Sequence, residues 1–139
     1  NFVVSSAIKP ENEEFLYCKE KNLSVKHRSE ILALLMQSYT SLAVAGSHGK
    51  TSTAAILSQL LQSGFSIGGE IEGGAGLACD GRWIVTELDE SDGTLTQFQP
   101  DYTILTNVDD DHLDHHGSSV ELNSCFEQLI LQTKKMVSK

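Results

Sequence analysis

Apolar and polar positions along the chain alternate in blocks that predict strand, loop and helix in turn. Phe2-Val3-Val4 before Ser5-Ser6 reads as a short buried strand, and Pro10 suits the first turn of an acidic helix running to about Lys21. A brief extended piece is expected over residues 23–27. Ser29 to Met36 has the wide apolar face of a helix. Strand, helix, strand and helix form the tail of an α/β unit.

A second unit begins near Ser41. The compact run Leu42-Ala43-Val44-Ala45 enters the loop Gly46-Ser47-His48-Gly49-Lys50-Thr51, and a helix is predicted next. Thr53, Ile56, Leu57, Leu60 and Leu61 fall at i, i+3, i+4, i+7 and i+8, which predicts a core-facing stripe, with Gly64 as its left-handed cap. Residues 68–81 hold many glycines and few bulky side chains, and are expected to form a flexible connection with room for one short strand. Trp83 to Glu87 and Tyr102 to Thr106 read as buried strands ending in polar residues. Ser118-Ser119-Val120-Glu121 is a capping box, followed by the helical stripe Leu122, Cys125, Phe126, Leu129 and Ile130.

Composition narrows the class. With 139 residues, 40% hydrophobic and 21% charged, the chain can bury a core, and no apolar run reaches the roughly 18 residues of a membrane span. Cys18, Cys79 and Cys125 are far apart and odd in number, which speaks against a disulfide framework or structural zinc and for a reducing, cytoplasmic setting. A net charge of -9 opposes nucleic acid and anionic membrane as partners. An anionic ligand must therefore be met locally, by a loop and a metal. The start at Asn1 and the polar stretch after the last helix suggest a piece of a longer protein.

Three stretches carry chemistry. A phosphate needs converging backbone N–H donors, glycines that let the backbone approach, a helix N-terminus and a lysine; Gly46 to Thr51, between strand and helix, offers all of these. Thr51 adds a hydroxyl for Mg2+. The strict G-x-x-x-x-G-K-[ST] spacing is not met, because Val44 stands at the first glycine position, so this is a variant P-loop. The alternative is a glycine-rich turn with an exposed Lys50. The second stretch, Glu87-Leu88-Asp89-Glu90-Ser91-Asp92, lies at the carboxyl end of a strand, where ligands gather in open α/β sheets. Glu87, at the strand tip, is the expected metal ligand, against the plainer reading of a solvated acidic turn. In the third, Asn107 to His116, His112 is expected to give one ligand to the P-loop metal, while His115 and His116 face solvent. His27 reads as a surface residue, and His48 as a loop residue whose backbone matters more than its ring.

These motifs, in this order, resemble the Mur ligase family. Its ATP loop is similar to Gly46-Ser47-His48-Gly49-Lys50-Thr51, its second motif to Thr86-Glu87-Leu88-Asp89-Glu90-Ser91-Asp92, and its third to Thr106-Asn107 leading into Asp111-His112-Leu113-Asp114. Val4-Ser5-Ser6-Ala7-Ile8 and Arg28-Ser29-Glu30-Ile31-Leu32 resemble the end of the family's N-terminal substrate domain. Ser47 and Ser52 replace usual threonines, and Gly74-Ala75-Gly76 stands where an asparagine and alanine are usual.

The resemblance implies a P-loop-containing parallel-sheet α/β ATPase. Residues 1–38 would be the C-terminal part of a Rossmann-like UDP-substrate domain, and 39–139 a partial central ATP-binding domain. It implies an ATP- and Mg2+-dependent ligase joining L-alanine to UDP-N-acetylmuramic acid through an acyl phosphate, for peptidoglycan synthesis; His48 with Ser91 favours this branch over the murein tripeptide and folylpolyglutamate branches. A non-catalytic nucleotide-binding remnant is the alternative of another class. Gly46, Ser47, His48, Gly49, Lys50, Thr51, Ser52 and Asn107 would meet the nucleotide, with Asn107 orienting nucleotide or loop. Thr51, Glu87 and His112 would hold Mg2+, supported by Asp111 and Asp114, and Lys50, Glu87 and His112 would be catalytic. The 139 residues alone are expected not to ligate.

Overall fold

The computed structural model describes residues 2–71, 74–78, 80–90, 93–109 and 119–138. In chain order the elements are β1 (Phe2–Val4), α1 (Glu13–Glu20), β2 (Val25–His27), α2 (Arg28–Gln37), β3 (Thr40–Ala45), α3 (Lys50–Leu61), β4 (Gly64–Ile71), β5 (Gly74–Leu77), β6 (Trp83–Glu87), a 3-10 turn (Thr94–Gln97), β7 (Tyr102–Leu105), α4 (Ser119–Gln132) and β8 (Met136–Ser138). No helix among the described residues is long and apolar enough to cross a membrane.

β1 and β2 pair in parallel, in register from Phe2↔Val25 to Val4↔His27. Sequence predicted a buried β1, yet Phe2 and Val3, on opposite faces of the two-stranded β1–β2 ribbon, are about half exposed. α1 starts at an Asn12 cap rather than at Pro10: Asn12 Oδ1 accepts from Phe15 N–H at 3.0 Å. α2 opens on a capping box in which His27 Nδ1 accepts from Ser29 N–H at 3.3 Å and Glu30 accepts from His27 N–H at 2.8 Å. The half-buried His27 is therefore a helix cap and not a free surface residue.

The main sheet has the order β5-β4-β6-β3-β7-β8, parallel throughout except for β4 against β5. β3 lies inside it and is covered on both faces, which is why its sequence is a continuous apolar run rather than an alternating one. Ala43 and Ala45 join Leu88, Leu95, Phe98, Leu105, Leu122, Phe126 and Leu129 on one face; Val44 joins Ala54, Phe65, Ile67 and Val85 on the other. The stripe predicted for α4 is confirmed. Leu122, Phe126 and Leu129 are at most 2% exposed, and burying each such side chain contributes roughly 1.5–3 kcal/mol.

Three other expectations are corrected. α3 turns Ala54 and Ser58 to the sheet, while Ile56 and Leu60 of the expected stripe are 59% and 75% exposed. Small residues let the helix axis approach the strands; of the expected stripe Leu57 still packs against this core, while Ile56 and Leu60 stay outside. The left-handed cap of α3 is Gln62, at φ 48°, and Gly64 instead begins β4. The glycine-rich 68–81 segment contains the end of β4 and all of β5, an antiparallel pair with a register shift between Ser66 and Ile71, so it is sheet and not simply a flexible connection.

Asp101 ties the entry of β7 to that of β3. Its Oδ2 accepts from Ser41 N–H at 2.9 Å, and its own N–H donates to Ser41 Oγ at 3.0 Å. Burial works to raise its carboxyl, but the Ser41 N–H, the Lys134 and Lys135 ammoniums and the Ser41 hydroxyl outweigh it and hold the carboxyl below its usual value. A lowered carboxylate stabilises the fold above its unfolded pKa, and that contribution disappears as pH falls through the lower folded value, below about 4. Asp101→Asn should cost about 1 kcal/mol near neutrality, the charge-assisted part of these bonds, in urea unfolding. The difference from the native chain should close in acid. An unchanged difference at both pH values would remove Asp101's charge as the cause.

Candidate functional site

The loop after β3 is shaped by its neighbour, the exit of β7. Gly46 has φ +127°, and a Cβ there would collide with Thr106 Oγ1 and lie 2.6 Å from Asn107 O. Gly49, the N-cap of α3, has φ +77° with open space around it, so glycine is needed there for conformation alone. Ser47 N–H donates to Asn107 O at 3.1 Å, and Ser47 Oγ both accepts from Asp109 N–H at 2.9 Å and donates to Asp109 O at 3.1 Å. Asn107 Oδ1 accepts from His48 N–H at 2.8 Å, and Thr106 Oγ1 donates to His48 O at 2.7 Å. His48 is exposed at the loop tip, and these two bonds use its backbone. Residues 106–109 thus form a brace behind the loop, with Asn107 gripping backbone.

Lys50 begins α3 and folds back over the loop. Its Nζ donates to Gly46 O at 2.6 Å and to the Glu90 carboxylate at 3.0 and 3.1 Å. The pair is enclosed, with side chains only 12% and 1% exposed. Sequence placed Glu90 within the acidic stretch without giving it a role of its own. Its partner lies 40 residues away, so no local spacing sets it apart from Asp89. Attraction and desolvation nearly cancel in such a pair, but removing one partner is costly.

Thr51, one residue on, faces Glu87. Val85 points to the α3 face, so period-2 alternation puts Glu87, two positions later, on that face at the carboxyl end of β6. Thr51 Oγ1 donates to the Glu87 carboxylate at 3.0 and 3.1 Å, and Gly68 N–H donates to Glu87 Oε2 at 2.7 Å. A carboxylate and a hydroxyl side by side are hard oxygen donors, suited to Mg2+ with further ligands from water and phosphate. No group of three or more His, Cys, Asp or Glu able to hold a metal occurs among the described residues. His112, with Asp111, Asp114, His115 and His116, lies outside those residues, as do Ser91 and Asp92. Ser52 follows on an exposed position of α3. Beside Glu87 a cavity of about 200 Å3 is lined by Arg28, Ser66, Gly68, Asp89 and Phe98, between α2 and the strand ends.

A glycine loop between an inner parallel strand and a helix, with a carboxylate at the tip of the next strand, defines an α/β protein of the class in which ligands bind at the carboxyl edge of the sheet. Comparison with known proteins makes the assignment specific. The Mur ligase middle domain matches residues 44–137, and a second pattern, Mur ligase family, catalytic domain, matches 1–40. The chain belongs to the Mur ligase family. It is 47% identical to the UDP-N-acetylmuramate–L-alanine ligase of Prochlorococcus marinus subsp. pastoris, over 99% of this chain and 30% of that protein. To the ligase of the same name from Dictyoglomus turgidum it is 39% identical, over 96% and 30%. Among solved structures, the UDP-N-acetylmuramate–alanine ligase of Thermotoga maritima superposes with TM-score 0.82 at 27% identity, over 97% of this chain and 34% of that one. UDP-N-acetylmuramate:L-alanyl-gamma-D-glutamyl-meso-diaminopimelate ligase from Neisseria meningitides gives TM-score 0.83 at 22% identity, over 94% and 48%, which shows the shared fold. The chain spans about 30% of the length of the curated relatives it matches.

Proposed function

We propose that this chain is the nucleotide-holding part of an ATP-dependent ligase that joins L-alanine to UDP-N-acetylmuramic acid in the cytoplasm, for peptidoglycan synthesis. The observation that carries the reading is the braced loop Gly46 to Thr51 at the carboxyl end of β3, with the Thr51–Glu87 pair beside it. Names borne by relatives 47% and 39% identical supply the substrates. Residues 39–139 would be part of the ATP-binding domain and 1–38 the end of the UDP-substrate domain.

In this reading the muramyl carboxylate attacks the γ-phosphorus of ATP, the bond to the bridging oxygen breaks, and ADP leaves. The L-alanine amine then attacks the carbonyl carbon of the acyl phosphate and expels inorganic phosphate. Backbone N–H groups in the first turn of α3 have no intrahelical acceptor and can face phosphate oxygens. Lys50 exchanges Glu90 for the β and γ oxygens, which neutralises charge where it accumulates. Thr51 and Glu87 would hold Mg2+, with His112 as a further ligand, and the ion would supply Lewis-acid stabilisation of the phosphates. Asn107 keeps the loop in shape and thereby orients the nucleotide. No side chain acts as a covalent nucleophile.

Titration of this chain with a non-hydrolysable ATP analogue, followed by calorimetry, should show saturable binding that strengthens with Mg2+. Amide formation should appear only in a protein of the relatives' full length, given ATP, UDP-N-acetylmuramic acid and L-alanine, since positioning reactants can account for roughly 7–11 kcal/mol of a barrier. No binding in the presence of Mg2+, or full-rate ligation by these 139 residues alone, would overturn the respective part of the proposal.

A further inference from the structure

Two consecutive glycines in β4, Gly68 and Gly69, have no conformational need to be glycine. Neither is among the positive-φ glycines of the described residues. Space is the constraint instead. A Cβ at Gly68 would lie 3.2–3.3 Å from the Glu87 carboxyl group, and one at Gly69 would lie 2.9 Å from Thr51 Cγ2. Ile67 and Ile71 both pack with Val44 and Ala54, so period-2 alternation puts Gly69 between them on the α3 face against Thr51, while Gly68 meets the Glu87 carboxylate at the tip of β6. A glycine inside a strand sacrifices packing and conformational entropy, and is expected where another group must come close.

We propose that Gly68 and Gly69 are positioning residues for the metal-binding oxygens: Gly68 fixes the Glu87 carboxylate through its N–H, and Gly69 leaves the space that lets Thr51 meet it. The inference rests on the reading of Thr51 and Glu87 as Mg2+ ligands. With both carboxylate oxygens within 3.1 Å of Thr51 Oγ1 and one of them held at 2.7 Å by Gly68 N–H, the two donors are locked at a separation set by β4. An added methyl group at position 69 pushes on the γ-methyl of Thr51 and swings the hydroxyl away from Glu87. The added methyl group removes no ligand atom. What changes is the distance between them, and hence affinity for the ion rather than for the nucleotide's other groups.

The test is a Mg2+ titration of fluorescent ADP-analogue binding to the chain. Changing the support of a metal ligand costs 10- to 100-fold in metal affinity, so Gly69→Ala should raise the Mg2+ midpoint about tenfold, and the same change in a Thr51→Ser background should raise it less than about twofold over Thr51→Ser alone. Serine keeps the hydroxyl and deletes the methyl group that Gly69→Ala would strike. Gly76→Ala on β5, whose Cβ would make only an ordinary 3.5 Å contact with Phe65 O, should leave the midpoint unchanged and controls for strand propensity. A crystal structure of metal-free Gly69→Ala should show Thr51 Oγ1 beyond hydrogen-bonding reach of Glu87. An unchanged midpoint for Gly69→Ala, or an equal rise in both backgrounds, would overturn the proposal. If Gly69→Ala does not fold, the double variant decides: restored folding with a near-normal midpoint supports the contact with Thr51, and continued failure refutes it. A native chain that binds no nucleotide with Mg2+ would remove the ligase reading itself, and this inference with it.

Discussion

Lys50→Ala is expected, on the proposed function, to lower ligation turnover in a protein of the relatives' full length by roughly 10²-fold or more, the scale for losing one preorganised electrostatic group. It should also weaken the fold. Glu90 is 1% exposed, and the substitution takes away the ammonium 3.0 Å from its carboxylate; breaking a buried pair from one side costs about 3–5 kcal/mol. Loss of activity in that variant would therefore mix two causes. Lys50→Ala combined with Glu90→Gln separates them, since the neutral amide no longer needs the cation. Urea unfolding should show most of the stability regained, while steady-state kinetics should show turnover still depressed. Turnover restored together with stability would mean that Lys50 serves the fold and not the phosphates.

Gly46→Ala should be among the most damaging single changes in the chain, with a loss of about 3 kcal/mol or more. Two costs combine at this position: a left-handed φ that L-residues avoid, and a Cβ driven into Thr106 Oγ1 and the Asn107 backbone. Backbone on the far side cannot rotate away as a flexible side chain would. Gly49→Ala is the matched comparison, because φ there is +77° but nothing lies within 4 Å of the added atom. It should cost only the conformational part, about 1–2 kcal/mol. Denaturation midpoints of the two variants compare them directly. Equal losses would show that the brace behind Gly46 yields and that contact with Thr106 and Asn107 is not what fixes the glycine.

What could be read from sequence was whatever local pattern determines. β3, β6 and β7 are short apolar runs closed by polar residues, and α4 carries a stripe with no competing alignment, so their positions followed from periodicity. The place of the loop was legible because Gly46 and Gly49 fall between an apolar strand run and a helix. Sequence failed where a partner distant along the chain decides the outcome. α3 has two arcs that could face inward, and the sheet selects the arc of Ala54 and Ser58 because it allows closer approach. The glycines of β4 read as loop because their reason, the room needed by Thr51 and Glu87, comes from other elements. Glu90 looked like any acid in a charged turn until Lys50 was seen folded onto it. Asn107 was singled out with two roles open, nucleotide or loop, and its Oδ1 accepts a hydrogen bond from the His48 N–H of the loop.

The brace behind the loop also sets an order of events during synthesis of the chain. Its bonds join Ser47 to Asp109 and His48 to Thr106, across 62 and 58 residues, and β3 has no strand beside it until β6 and β7 have been made. Contacts of such separation form late, because closing the intervening chain must come first. On the proposed function, nucleotide would favour the finished sheet and give nothing to shorter intermediates, since a ligand stabilises only what can bind it. A nascent chain that ends before Thr106 contains every residue from Gly46 to Thr51 and still presents no formed loop to a phosphate.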